Sequence, residues 1–188
     1  MPTEGEPTTL VKSAHLIILS TSWGMQIWVS FISGFVLINS INRHTFGLVQ
    51  SSLFPYYFYS VLGGSFLNLT LYALYHPHEL LDNNEAIQIT SFFVCVILSA
   101  LNAQWFGETT TEIMFQMHEI EKEHHLGEEV GFGTNQELYK KLKKKDPKYQ
   151  KLSQRFVKYH VLSMVCNLIC VICNGLNLFY TAANLKTF

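Results

Sequence analysis

The chain has 188 residues, 48% of them hydrophobic and 14% charged, with a formal net charge of -1. Four stretches, Ser13–Asn42, His44–His78, Ala86–Gly107 and Tyr159–Leu185, contain no Asp, Glu, Lys or Arg, and nearly all the charge lies between Glu108 and Lys158. A soluble domain scatters charge over every surface element, so this segregation excludes one and leaves room for one membrane domain plus one internal segment.

The N-terminus Met1–Thr9 is short and slightly acidic, without the basic n-region of a cleavable signal peptide, and Pro2 stands where N-myristoylation needs Gly. The first apolar run is therefore expected to be retained as a span over 13–38. At about 100° per residue, His15, Ser22, Gln26 and Ser33 fall on one narrow face of it. The second span is expected over 54–75, with Tyr57, Ser60, Gly64, Asn68 and Tyr75 on one face. Its sequon Asn68-Leu69-Thr70 lies too deep for a glycan. The third span, 86–106, aligns Gln88, Cys95, Ser99 and Asn102.

The loop 107–158 follows, acidic from Glu108 to Glu137 and basic from Lys140 to Lys158. Thr110–His125 reads as a helix closed by Gly127, Thr134 to Glu137 as a capping box opening a helix through Lys145, and Asp146-Pro147 as the N-cap of the next. Gly131-Phe132-Gly133 divides the loop. The last helix runs into a fourth span, 159–183, aligning His160, Ser163, Asn167, Cys170, Asn174 and Thr181. The expected fold is all-α: a bundle of four transmembrane helices with a helical cytosolic loop.

Orientation follows from the basic residues. Lys12 and Lys186 flank the termini, whereas Arg43, Lys122 and the Lys140–Lys158 cluster belong to the first and third loops. The positive-inside rule then makes both termini lumenal or exterior and the loop cytosolic. Lys140, Lys141, Lys143, Lys144 and Lys145 suit anionic lipid headgroups as well as they suit a purely topogenic role. No nucleic-acid partner is expected of a membrane-tethered loop without interleaved base-stacking residues.

One polar stripe per span has two readings. Asn, Gln and Ser are usually interhelical glue, at about 0.6–2 kcal/mol per hydrogen bond. The alternative is a hydrated seam lined by Gln26, Asn68, Ser99, Asn167 and Asn174. No span interior holds an Asp, Glu, Lys or Arg, which disfavours proton pumps and ion-coupled carriers.

The four cysteines, Cys95, Cys166, Cys170 and Cys173, all lie in spans, and an oxidised framework is not expected. Met25 and Cys170 fall at one depth and offer soft donors, although buried sulfur is usually packing. His118, Glu121 and His125 have a spacing that zinc sites use, but a highly charged helix reads as a solvated surface, and no metal or cofactor is expected. No Walker loop, Gly-x-Ser-x-Gly, His-Glu-x-x-His or Cys-x-x-Cys pair occurs, so nothing points to an enzyme.

Several strings are more specific. They include Trp23-Gly24-Met25-Gln26…Trp28-Val29, Arg43-His44-Thr45-Phe46-Gly47-Leu48-Val49-Gln50-Ser51, Glu121-Lys122-Glu123, Lys145-Asp146-Pro147-Lys148-Tyr149 and Cys166-Asn167-Leu168…Cys170-Val171…Asn174-Gly175-Leu176. Over essentially the whole chain they resemble the transmembrane protein 205 family of small four-span proteins. The resemblance implies no catalytic residues. It implies an association with tolerance of platinum drugs, through export or vesicle traffic, and with plasma or secretory-pathway membranes. Two functions follow as expectations: outward movement of small or soft-metal species along the seam, or a non-transporting scaffold or trafficking factor acting through the loop. Four helices are few for a monomeric transporter, so a homo-oligomer or a trafficking partner belongs with these readings.

Overall fold

A computed structural model of the chain describes residues 7–75, 83–131 and 133–183. His78, Phe132 and Lys186, named from the sequence above, lie outside the described residues. The elements are helical throughout: α1 (Thr9–Trp28), a π-helical turn (Val29–Ser33), α2 (Gly34–Ser40), α3 (Arg43–Tyr75), α4 (Asn83–Leu101), a second π turn (Asn102–Phe106), α5 (Gly107–Glu123), α6 (Gln136–Lys145) and α7 (Pro147–Ala183). Among the described residues the only strand-like pairing is an isolated antiparallel bridge between Asn42 and Val130.

Three helical runs are long and apolar enough to cross a membrane: Thr9–Ser40, Asn83–Glu123 and Pro147–Ala183. Among the described residues these three meet the requirement by length and composition, where four spans were expected. The α3 helix is long enough, but Tyr, Ser, Gly, Asn and Thr dilute its apolar content, and Pro55 sits inside it. Lack of charge therefore overstated its hydropathy. The helix of the third apolar stretch runs on past residue 106. It continues without a break through the π turn into α5, so the charged helix prolongs the apolar one.

Packing divides the chain into two compact units, 1–27 with 58–101 and 166–188, and 28–57 with 102–165. In the first unit small residues let helices approach. A Cβ on Gly64 of α3 would lie 2.4 Å from Ser22 Oγ of α1. The Trp23 indole of α1 crosses Gly175 of α7 and donates to the Val171 carbonyl at 3.1 Å. His15, Tyr72 and Phe92 bring α1, α3 and α4 together, with ring centroids 5.6–6.0 Å apart.

The second unit has its own apolar core, built from Ile113, Met117 and Ile120 of α5, Leu126, Leu142 of α6, and Tyr149 and Leu152 of α7. Local chemistry sets its ends. Asp146 Oδ1 accepts from the Lys148 and Tyr149 amides at 2.7 and 3.1 Å, an N-cap followed by Pro147. Asn42 Oδ1 caps α3 by accepting from the Thr45 amide at 2.8 Å. The capping box expected at Thr134 does not form. Its hydroxyl donates back to the Val130 carbonyl, and Asn135 at the N-cap takes a left-handed conformation (φ 58°) without a side-chain cap. Nor does Gly127 directly close α5; the helix ends at Glu123, and His125 turns left-handed first (φ 55°). Segment 127–131 then docks by backbone onto 38–44. The Arg43 and His44 amides donate to the Glu129 and Gly127 carbonyls, both at 3.0 Å, and the Gly131 amide donates to the Ile38 carbonyl at 3.1 Å.

Candidate functional site

Two sets of buried polar side chains are candidates, one in each unit. In the first unit Gln26, Asn68, Ser99 and Asn174 are at most 2% exposed, whereas Asn167 is only partly buried. Asn174 Nδ2 donates to Gln26 Oε1 at 2.9 Å, joining α7 to α1. Ser99 is turned onto its own helix, donating to the Cys95 carbonyl at 2.6 Å. Partners are incomplete. Gln26 Nε2, Ser65 Oγ, Asn68 Oδ1 and both side-chain atoms of Asn177 are buried without a hydrogen-bond partner among the described residues. An unmet buried polar atom costs about 1–3 kcal/mol, so such atoms are normally met by water or ligand.

Among the sulfur donors, Cys170 has a cysteine neighbour on another helix. Cys170, 1% exposed, faces Cys95 of α4: Cys95 Sγ lies 3.7 Å from the Cys170 carbonyl oxygen, and Cys170 Sγ lies 3.9 Å from that of Cys95. Cys95 Sγ also lies 3.7 Å from Asn174 Oδ1. Met25 is partly buried. The cysteine with a thiol facing Cys170 across helices is thus Cys95, which helical spacing within one span had no means of pairing.

In the second unit the sequence reading is corrected. Glu121 belongs to no solvated face; it is fully buried, and His118 is 9% exposed. His125 lies past the end of α5 and is exposed, so it does not join them. The third member is His44, at the start of α3. Its Nε2 lies 2.9 Å from Glu121 Oε2, and its ring lies 4.1 Å, centroid to centroid, from that of His118. The other carboxylate oxygen, Oε1, accepts from the Tyr149 hydroxyl at 2.6 Å and from Arg43 Nη2 at 3.4 Å. The Arg43 guanidinium stacks 4.6 Å above the Tyr139 ring, and the Tyr139 hydroxyl donates to Glu129 Oε1. Two glycines make the space. A Cβ on Gly127 would lie 2.1–2.3 Å from atoms of the His44 ring, and one on Gly47 would lie 2.6 Å from His118 Cε1.

Arg43, His118, Glu129 and Tyr149 lie outside the charge-free stretches, and their protonation follows from their neighbours. Burial alone would lower Arg43, but the Glu121 charge outweighs it and raises the guanidinium further. Burial, reinforced by His44, holds the His118 imidazole down at about 4, so the ring is neutral at pH 7. Burial would raise Glu129; the hydrogen bond from Tyr139 and the Gly127 amide overcome it and hold the carboxyl low. Burial first, then the bond to Glu121, pushes the Tyr149 hydroxyl up.

The basic cluster is a surface. Lys140, Lys141, Lys144 and Lys145 are exposed and Lys143 is partly so, while Leu142 between them anchors α6 in the core. Lys140 pairs with Glu137 at 2.8 Å.

A family model described as a domain of unknown function, DUF4149, matches residues 17–119. No solved structure matches the chain. Transmembrane protein 205 of Danio rerio is 57% identical over 187 residues, covering 100% of each chain. With more than half the chain matched by the family model and the whole of it by this relative, the protein belongs to the transmembrane protein 205 family.

Proposed function

We propose that this membrane protein assists the outward movement of a small polar or soft-metal species along a hydrated seam in its first unit. In this reading α3 is a fourth span, both termini are lumenal or exterior, the Lys140–Lys145 face lies on anionic cytosolic lipid, and the membrane is the plasma membrane or one of the secretory pathway. One observation carries it. Gln26, Ser65, Asn68 and Asn177 bury polar atoms without hydrogen-bond partners among the described residues, in charge-free helices of which those carrying Gln26 and Asn177 are apolar enough for lipid, where each such atom needs water or a solute. Cys95 and Cys170 add thiols facing one another beside Asn174, a donor set suited to soft metals. Flux is tested with purified protein in liposomes, using a soft-metal or platinum species and a neutral polar solute. Protein-dependent efflux that falls in Gln26→Leu with Asn177→Leu is expected. Efflux equal to protein-free liposomes for both solutes contradicts the reading.

A second reading is favoured by the folded core of the second unit. Ile113, Met117, Leu142 and Tyr149 make residues 108–158 a packed module rather than a loose charged loop, which suits a scaffold or trafficking factor. Loss of all flux with an intact fold leaves that reading in place.

A further inference from the structure

We propose that His44, His118 and Glu121 form a binding site for a divalent transition-metal ion of the zinc class. Their donor atoms all lie within 4.8 Å of one another. Tetrahedral zinc, with bonds of about 2.0–2.1 Å, places its donors roughly 3.3 Å apart. The His44 Nε2 to Glu121 Oε2 separation of 2.9 Å is already near that value, so small side-chain rotations close the set.

Three further observations support the site. First, the donors are under-used. His44 Nδ1 is buried without a hydrogen-bond partner among the described residues, and the contacts of His118 are made by its ring, to His44 and Phe115. A buried imidazole nitrogen with a free lone pair is suited to a metal ion. Second, Glu121 is held as ligating carboxylates are held. Tyr149 and Arg43 take Oε1, which fixes the rotamer and leaves Oε2 pointing to the histidines. Third, the approach is built into the backbone. Gly127 and Gly47 are bare where a methyl would overlap the His44 and His118 rings.

The chemistry selects the ion. Two imidazoles and one carboxylate suit zinc and its neighbours; calcium and magnesium prefer all-oxygen sets, and copper(I) prefers sulfur. Arg43 is the group that opposes a cation. It is 45% exposed and reaches Glu121 only at 3.4 Å, so it swings toward solvent when the metal enters. Binding replaces the contact between His44 Nε2 and Glu121 Oε2, and because metal ligands bind deprotonated, uptake weakens at acid pH. An ion here fastens the start of α3 to α5 and stabilises the second unit by mass action.

The test uses the full-length, untagged protein in detergent, stripped with a chelator and titrated with Co(II), then with Zn(II). One equivalent of Co(II) per chain is expected, with visible d–d absorption and no thiolate charge-transfer band, displaced by Zn(II). His118→Ala removes a ligand whose contacts are made by its ring, so the fold is expected to survive while affinity falls about 100-fold or more, beyond what losing a group that merely hydrogen-bonds a ligand costs. His118→Gln is the second variant if the smaller side chain unsettles the core. The double variant His124→Gln with His125→Gln, at exposed positions, keeps wild-type binding. Absence of stoichiometric binding in the wild type overturns the proposal. So do a thiolate-type Co(II) spectrum, unchanged affinity in a folded His118 variant, and loss of binding in the His124/His125 variant.

Discussion

Glu121→Ala is expected to destabilise the protein by about 3–5 kcal/mol, the range for removing one partner of a buried ion pair. The carboxylate is 0% exposed and receives hydrogen bonds from Tyr149 and Arg43 while facing His44 Nε2. Its removal leaves a buried hydroxyl and a buried imidazole without partners, and deprives a half-exposed guanidinium of its counter-charge. Tyr149 also belongs to the apolar core, so the damage reaches Ile113, Met117 and Leu152. Glu123→Ala, two residues on and exposed, is the control and is expected to stay within about 0.5 kcal/mol, as surface changes usually do. Chemical denaturation in detergent compares the two. Equal midpoints would mean that the buried carboxylate contributes nothing to the fold.

Gly127→Ala is expected to cost about 2–6 kcal/mol, the strain range for an unfavourable backbone region added to the range for overpacking. Gly127 has φ +106°, a conformation L-residues rarely adopt, and its Cβ would lie 2.1–2.3 Å from atoms of the His44 ring. The ring has nowhere simple to go, because Glu121 and His118 hold its other side. Gly131→Ala separates the two causes. Its φ is +97°, but its nearest neighbour to a Cβ is Thr134 Oγ1 at 3.5 Å, so only the backbone strain applies. A loss at Gly127 no larger than at Gly131 would show that ring contact is unimportant. The same denaturation series reads it.

Much of unit 1 is legible in the sequence. Absence of charge marks the apolar runs, and helical spacing puts Gln26 and Asn174 on inward faces, where they meet at 2.9 Å. Spacing cannot say which helices are neighbours, and so it missed Cys95 opposite Cys170. It also missed both π turns. Each comes near where the chain passes between units, at Val29 and Asn102, and no residue type there breaks the apolar pattern. The cluster around Glu121 was hidden for another reason. Glu119, Glu121, Lys122 and Glu123 read as a solvated charge run. Yet Ile113, Met117 and Ile120 recur at i, i+4 and i+7, and Glu121 at i+8 continues that face. The apolar period was a better guide to burial than local charge. His44 could not be placed by period at all, because a backbone docking of segment 127–131 onto 38–44 brings it there. Arg43-His44…Gly47, Glu121 and Tyr149, all within strings that carry the family resemblance, meet in this cluster and not in the seam.

The hydrated seam is tested most directly at Cys170. It is 1% exposed and faces Cys95 beside Asn174, which bonds Gln26. A variant retaining only this thiol, with Cys95→Ser, Cys166→Ser and Cys173→Ser, is reconstituted in liposomes and treated with a membrane-impermeant thiol reagent. Labelling of Cys170 in the folded protein, slowed by Gln26→Leu, is the predicted result. A Cys170 that reacts only after denaturation means a dry bundle held together by its amides, and contradicts a passage through the first unit.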